Sequence, residues 1–290
     1  MSQAENIEFS TALFVPSLFS SRYFHPLRPL QLSNWESISA LGDLAFFLDL
    51  DGTLLDLAPT PDAVKAEPDL QDNLQRLSER THGAVAIVTG RSVAFVDALF
   101  PAHPFAVAGL HGAELKLNGQ VEGCNGSDIS SHSEDWGSYM TARANAKAAA
   151  SGLSGVIFED KGRAFALHYR RAQHHAAAVL EIMKQAVVTA GVTYSLQAGK
   201  FVYEVKPGGR TKATAVNFFM QTPAFKGRFP IAAGDDLTDE AMFAEINTRG
   251  GASIRVGHVT NGNKTCASMV IQTPTLLRNW IRSIGCEEVE

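Results

Sequence analysis

The sequence predicts an α/β protein: a Rossmann-like parallel sheet covered by helices, with a smaller α+β unit inserted into it. Three observations predict this. Short, wholly apolar runs such as Phe46-Phe47-Leu48 and Ile231-Ala232-Ala233 alternate with segments of helical period. Continuous apolar runs of that length are the pattern of parallel strands buried on both faces. Between the two halves of this alternation, a different texture reads as helix-strand-strand, repeated twice.

The elements follow in order. Residues 1–42 mix Phe, Pro and Ser without a period and are expected to form an irregular lead-in docked on the core. Ala45–Leu50 is the first buried strand. Leu70, Leu74 and Leu77 share one helical face between Pro68 and Arg80. Ala84–Thr89 is a second strand, 92–100 a helix, and Phe105–Ala108 a third strand, followed by Leu110-His111-Gly112-Ala113-Glu114. Asn118-Gly119 is a strong hairpin pair, and a polar stretch runs from there to about Glu134. A helix over 136–150 comes next, then strands at 155–159 and 164–168 joined by Lys161-Gly162-Arg163. A second helix, 172–190, precedes two short strands ending near Val205. Residues 119–205 are therefore expected to be an insert between core segments 43–118 and 206–290. The first texture then returns, with helices at 212–221, 239–246 and 275–284 and strands at 229–233 and 253–256.

Composition narrows the class. A chain of 290 residues with 45% hydrophobic and 19% charged residues is globular. Its net charge of -5, from 25 Lys+Arg against 30 Asp+Glu, argues against a general nucleic-acid binder. A small anionic substrate stays open, because local basic groups matter more than the total. Cys124, Cys266 and Cys286 are few and odd in number, suit a reducing compartment and form no metal-ligand pattern. No run approaches the roughly 18 apolar residues of a membrane span. The first residues carry Glu5 and Glu8 before a short apolar segment broken by Pro16, unlike a secretory signal. The expectation is a cytoplasmic protein with neither membrane nor nucleic-acid partners; the oligomeric state stays open.

The chemistry begins at Asp49 and Asp51. Asp-Gly is a common turn pair, which accounts for Asp51-Gly52 but not for Asp49, set between leucines in an apolar run. A buried, unpaired carboxylate costs several kcal/mol, so a positive group is expected beside it. Three further points suggest one site: Thr89-Gly90-Arg91 after the second strand, Lys212 at a helix start, and Gly234-Asp235-Asp236 with Asp239 after another strand. Taken singly, Thr89 serves equally as a helix cap, Lys212 as a solvated lysine, and Asp235, Asp236 and Asp239 as first-turn acids. Together they suit phosphoryl transfer. Carboxylate attack on a phosphate is opposed by like charge, which Mg²⁺ held by Asp49, Asp51 or its carbonyl, and Asp235 would remove. Lys212 would add positive charge and Thr89 a hydrogen bond, with Asp49 as nucleophile and Asp51 as acid and base.

The order Asp-x-Asp-Gly-Thr, Thr-Gly-Arg, Lys, Gly-Asp-Asp resembles the haloacid dehalogenase superfamily of Mg²⁺-dependent phosphotransferases, from about Leu44 to Trp280. Residues 109–114, 161–170 and 234–240 narrow the resemblance to the trehalose-6-phosphate phosphatases, as does the placing of the insert, which matches that family's cap domain. The resemblance implies a phosphatase releasing trehalose and phosphate through an aspartyl-phosphate on Asp49. Asp51 is then the acid/base, and Asp49, Asp51 (by its carbonyl) and Asp235 the Mg²⁺ ligands. Thr89, Gly90 and Lys212 hold the phosphoryl group, and Asp236 and Asp239 sit behind. Glu159, Lys161 and Glu204 match the cap residues that read the sugar, while Arg91 and His111 are less specific lining groups. One departure is Ala213, where the family often has glycine after the lysine. A phosphosugar mutase on the same core, and a phosphosugar-binding module without turnover, are the other readings.

Overall fold

The computed structural model describes residues 25–27, 40–58, 64–123, 133–258 and 265–286. Most of the lead-in, including Glu5, Glu8 and Pro16, and most of the polar stretch with Cys124, lie outside the described residues.

The chain runs through β1 (His25–Pro26), β2 (Leu44–Leu48), α1 (Leu70–Arg80), β3 (Val85–Val88), α2 (Val93–Leu99), β4 (Ala106–Gly109), β5 (Glu114–Leu117) and β6 (Gln120–Gly123). It continues through α3 (Ser133–Ala150), β7 (Ile157–Asp160), β8 (Phe165–His168), α4 (Ala176–Ala190), β9 (Tyr194–Gly199) and β10 (Val202–Pro207). It closes with α5 (Lys212–Phe219), β11 (Phe229–Gly234), α6 (Glu240–Thr248), β12 (Ala252–Val256), β13 (Met269–Ile271) and α7 (Pro274–Cys286).

Nine strands form the large sheet in the order β1-β13-β12-β11-β2-β3-β4-β5-β6. From β13 to β4 every pairing is parallel, and antiparallel strands finish both edges. The alternation of β2 explains its wholly apolar sequence. Phe46 and Leu48 enter one core with Leu74, Leu77 and Trp280, whereas Ala45 and Phe47 enter another with Phe219, Phe225 and Phe243. The Phe46 and Trp280 rings lie 6.0 Å apart, and those of Phe47 and Phe225 5.5 Å apart. Burying each phenylalanine contributes about 1.5–3 kcal/mol, which fixes β2 at the centre of the sheet.

Asn118 and Gly119 both have positive φ, 52° and 75°, as a two-residue type I′ hairpin requires. They join β5 to β6, so β6 still belongs to the large sheet although it lies past residue 119.

The second sheet has four antiparallel strands in the order β7-β8-β10-β9. Period two again sorts its side chains. Phe165, Leu167 and Val205 pack with Tyr139 of α3 and with Val179 and Met183 of α4. The residues between them, Glu159, His168 and Glu204, take the opposite face, which turns toward the large sheet.

Candidate active site

Strands β11, β2 and β3 are parallel neighbours, so their carboxyl ends share one edge of the sheet. Open α/β sheets bind ligands at that edge. Asp235 follows β11, Asp49 follows β2 and Thr89 follows β3, and the start of α5 brings in Lys212. A cleft of about 170 Å³ lies between this edge and the small sheet. Every residue singled out from the sequence lines it, except Asp239, which is wholly buried behind Lys212.

Asp49 is 5% exposed and Lys212 2%. The Lys212 ammonium donates to Asp49 Oδ1 and to Asp239 Oδ1, each at 2.6 Å. Thr53 donates to Asp49 Oδ2 at 3.2 Å. Lys212 is the first residue of its helix, where the macrodipole disfavours a cation. The two acids offset that, and their charges outweigh burial to raise the Lys212 pKa above its usual value. Burial raises the Asp49 carboxyl well above the ordinary carboxylate range; Lys212 opposes the rise, while Asp239 and Asp235 add to it. Burial, then Asp239 and Asp236, push Asp235 up to about 7.

Carboxylate oxygens of Asp49, Asp235 and Asp239 all lie within 4.8 Å of one another. Lys212 pairs with Asp49 and Asp239, and Asp235 is offset only by the more distant charges of Lys212 and Arg255, so the three acids carry surplus negative charge when ionised. A Cβ at position 52 would overlap the Asp235 carboxylate, and Gly52, at φ 78°, leaves that place clear. Oxygen ligands and surplus negative charge suit a hard divalent cation, so the residues present fit one.

Asp51 is engaged differently. The Arg91 guanidinium holds it in a two-pronged ion pair, Nε to Oδ2 at 2.8 Å and Nη2 to Oδ1 at 2.9 Å. Arg91 also reaches Glu159 of β7, Nη1 to Oε1 at 3.3 Å, and lies over the Phe95 ring. Thr89 Oγ1 accepts from the Arg91 amide at 3.1 Å, which sets the turn after β3. Asp236 Oδ1 accepts from the Leu237 amide at 2.7 Å, and its Oδ2 from the Lys200 amide of the small unit at 3.3 Å.

Across the cleft, Lys161 donates to Glu204 Oε2 at 2.6 Å and to the Gly90 carbonyl at 3.0 Å. His111 Nε2 lies 3.7 Å from Glu204 Oε2. Burial raises the Glu204 pKa, but the Lys161 charge and the His111 contact outweigh it and hold the carboxyl down at about 2. Glu159 is likewise held below its usual range, burial being outweighed by the His168 hydrogen bond and the charges of Lys161 and Arg91. Burial lowers the His111 pKa. Among the described residues, Glu204 Oε1 and His111 Nδ1 are buried without a hydrogen-bond partner, so each has capacity left for a hydroxyl.

Sequence reasoning gave no role to Thr53 or His168, both of which touch site acids. Thr53 stands inside the first motif, four residues after Asp49. His168 could have been found from the alternation of β8, where it falls opposite the face of Phe165 and Leu167. Cys266 is unpaired and half-buried, away from the cleft lining.

A family description named Trehalose-phosphatase matches residues 47–272. The chain belongs to the trehalose-phosphatase family. Among its relatives in that family is a probable trehalose-phosphate phosphatase of Sinorhizobium fredii, 43% identical over 218 residues that make up 75% of this chain and 79% of the relative. The trehalose-6-phosphate phosphatase of Escherichia coli is 38% identical over 214 residues, 73% of this chain and 77% of that one. The C-terminal domain of the C. albicans trehalose-6-phosphate phosphatase shares the fold, with a TM-score of 0.72 at 23% identity over 83% of this chain and 92% of that domain. A trehalose-6-phosphate phosphatase related protein superposes with a TM-score of 0.65 at 26% identity, covering 83% of this chain and 96% of its own. This trehalose-phosphatase family member is a phosphatase, and its α/β core with a smaller unit beside it meets the fold expected from the motifs. No helix among the described residues is long and apolar enough to cross a membrane.

Proposed function

We propose that the chain is a cytoplasmic phosphatase that hydrolyses trehalose 6-phosphate to trehalose and phosphate. The observation that carries this is the meeting, in one cleft, of Asp49, Asp235 and Lys212 from the large sheet with Glu159, Lys161 and Glu204 from the small one. The core is 43–118 with 206–290, together with β6 of the large sheet, and the rest of the insert between them is a cap that reads the sugar.

Asp49 is the nucleophile. Its carboxylate attacks phosphorus, the bond to the sugar oxygen breaks, and an aspartyl-phosphate forms. Lys212 supports the phosphoryl oxygens, and the Thr89 hydroxyl and the backbone at Gly90 donate to them. Asp51 gives a proton to the leaving sugar oxygen, then takes one from the water that attacks the aspartyl-phosphate. Arg91 fixes where the Asp51 carboxylate points. Asp49, Asp235 and the Asp51 carbonyl would hold Mg²⁺, with Asp236 and Asp239 beside them; the ion would supply positive charge that offsets repulsion between carboxylate and phosphate. In the cap, Glu159 and Glu204 stay charged and accept from sugar hydroxyls, while Lys161 donates to one. His111 and Arg91 close the wall around them, and the closed cap excludes bulk water.

Phosphate release by purified protein with Mg²⁺ tests this. The expected result is much faster release from trehalose 6-phosphate than from glucose 6-phosphate; equal rates would reject the substrate assignment.

A further inference from the structure

Glu159 is gripped from both sides of the cleft. Its Oε1 takes the Arg91 guanidinium of the large unit at 3.3 Å, and its Oε2 lies 2.7 Å from Nε2 of His168 in the small one. The second grip follows from register. Glu159 stands opposite Ala166 across β7 and β8, so His168 is its diagonal neighbour on the cleft-facing side. His168 is half-buried and lines the cleft, yet it belongs to none of the groups given a role above.

Two donors on two different oxygens stop a carboxylate from turning about its last bond. The lone pairs left over then point in fixed directions, and a hydroxyl must arrive along one of them. The two donors also differ in kind. His168 is in the same sheet as Glu159 and stays beside it whatever the cap does. Arg91 stands in the turn after β3 of the large sheet and reaches Glu159 only when the cap lies against the core.

We propose that His168 is a positioning residue that orients the Glu159 carboxylate toward a hydroxyl of a sugar phosphate, and that Arg91 completes the grip when the cap closes. The inference rests on the proposed function and adds to it a residue that sets sugar selectivity from behind. The substrate class it serves is a polyhydroxylated phosphate monoester; an ester without hydroxyls gains nothing from an oriented Glu159.

The test is steady-state kinetics with Mg²⁺ on trehalose 6-phosphate and on p-nitrophenyl phosphate, for the natural chain, His168→Leu, Glu159→Gln and the double variant. A charge-assisted hydrogen bond is worth about 1.5–3 kcal/mol, so His168→Leu should raise KM for trehalose 6-phosphate roughly 10- to 100-fold. Its kcat should change far less, and the loss on p-nitrophenyl phosphate should be smaller than on the sugar ester. Because His168 acts through Glu159, the double variant should be no worse than Glu159→Gln alone. An unchanged KM in His168→Leu, an equal loss on both esters, or additive losses in the double variant would overturn the inference. A natural chain with no preference for trehalose 6-phosphate over glucose 6-phosphate would instead sink the substrate reading beneath it.

Discussion

The two walls of the cleft use the same residue types to opposite electrostatic ends. On the core wall, Lys212 pairs with Asp49 and Asp239 beside Asp235, and burial with mutual repulsion raises Asp49 and Asp235. On the cap wall, Glu159 and Glu204 meet Lys161, Arg91 and two histidines, and both are held low. The core is short of positive charge, which suits the cation and the phosphoryl group of the proposed function. The cap is already balanced, so its carboxylates are ready-made acceptors for neutral hydroxyls. The proposed function assigns chemistry to the unbalanced wall and recognition to the balanced one.

The sharpest way to break that division is Asp49→Asn. It removes the proposed nucleophile at nearly constant shape, so turnover of trehalose 6-phosphate should fall ~1,000-fold or more, and p-nitrophenyl phosphate should suffer equally. Circular dichroism should show the fold retained. A variant with substantial activity would remove the chemistry from the core wall. Next comes Lys212→Ala, which strands two buried acids. Breaking a buried pair costs about 3–5 kcal/mol, and urea unfolding of the metal-free variant should show a loss of that order. A loss within experimental error would mean that Lys212 does not balance the core acids.

The cap gives a smaller and more selective effect. Glu204→Gln weakens the contact with Lys161 and alters an acceptor meant for a hydroxyl. Its kcat/KM should fall about 10- to 100-fold on trehalose 6-phosphate and less on p-nitrophenyl phosphate. Equal losses would erase the contrast between the walls.

A further effect is one of pH. Asp235 is raised to about 7 in the folded chain, so between about pH 4 and that value the folded state keeps a proton that the unfolded state releases. The Asp235 contribution to the stability of the metal-free protein should therefore fall as pH rises through this window; Asp49 acts in the same direction and outweighs His111, whose lowered pKa has the opposite sign below its usual value. Mg²⁺ should remove much of the fall, because it favours the charged acids. Glu204, held at about 2, has the opposite sign: its contribution is present above the usual carboxylate range and is lost only in strong acid. Urea titrations across the window, in chelator and in Mg²⁺, check this; a rise in metal-free stability with pH would contradict it.

The same contrast decides what the sequence makes legible. Each residue of the core site is marked by its own local context, although the contacts between them span the chain, Lys212 reaching Asp49 across 163 residues. Each acid ends its own apolar strand, and parallel strands with neighbouring carboxyl ends converge whatever the details of packing. The Asn118-Gly119 turn is equally local, its two positive φ angles being written in the residue types. The cap network is not local. Arg91 pairs with Glu159 across 68 residues, a contact that depends on how cap and core meet. His168 meets Glu159 only through the register of β7 and β8. Short strands at and beside the sheet edge escape for a related reason. Two-residue β1 and three-residue β13 carry too few side chains to show a period, and they exist because the sheet supplies partners.

Covalent trapping on the core wall tests the account most directly. Borohydride reduces an acyl phosphate on aspartate to homoserine. Protein mixed with trehalose 6-phosphate and Mg²⁺, quenched in borohydride and sequenced by mass spectrometry should carry homoserine at position 49, and should lack it when substrate or Mg²⁺ is left out. Homoserine at another acid, or complete turnover with position 49 never modified, would contradict the account.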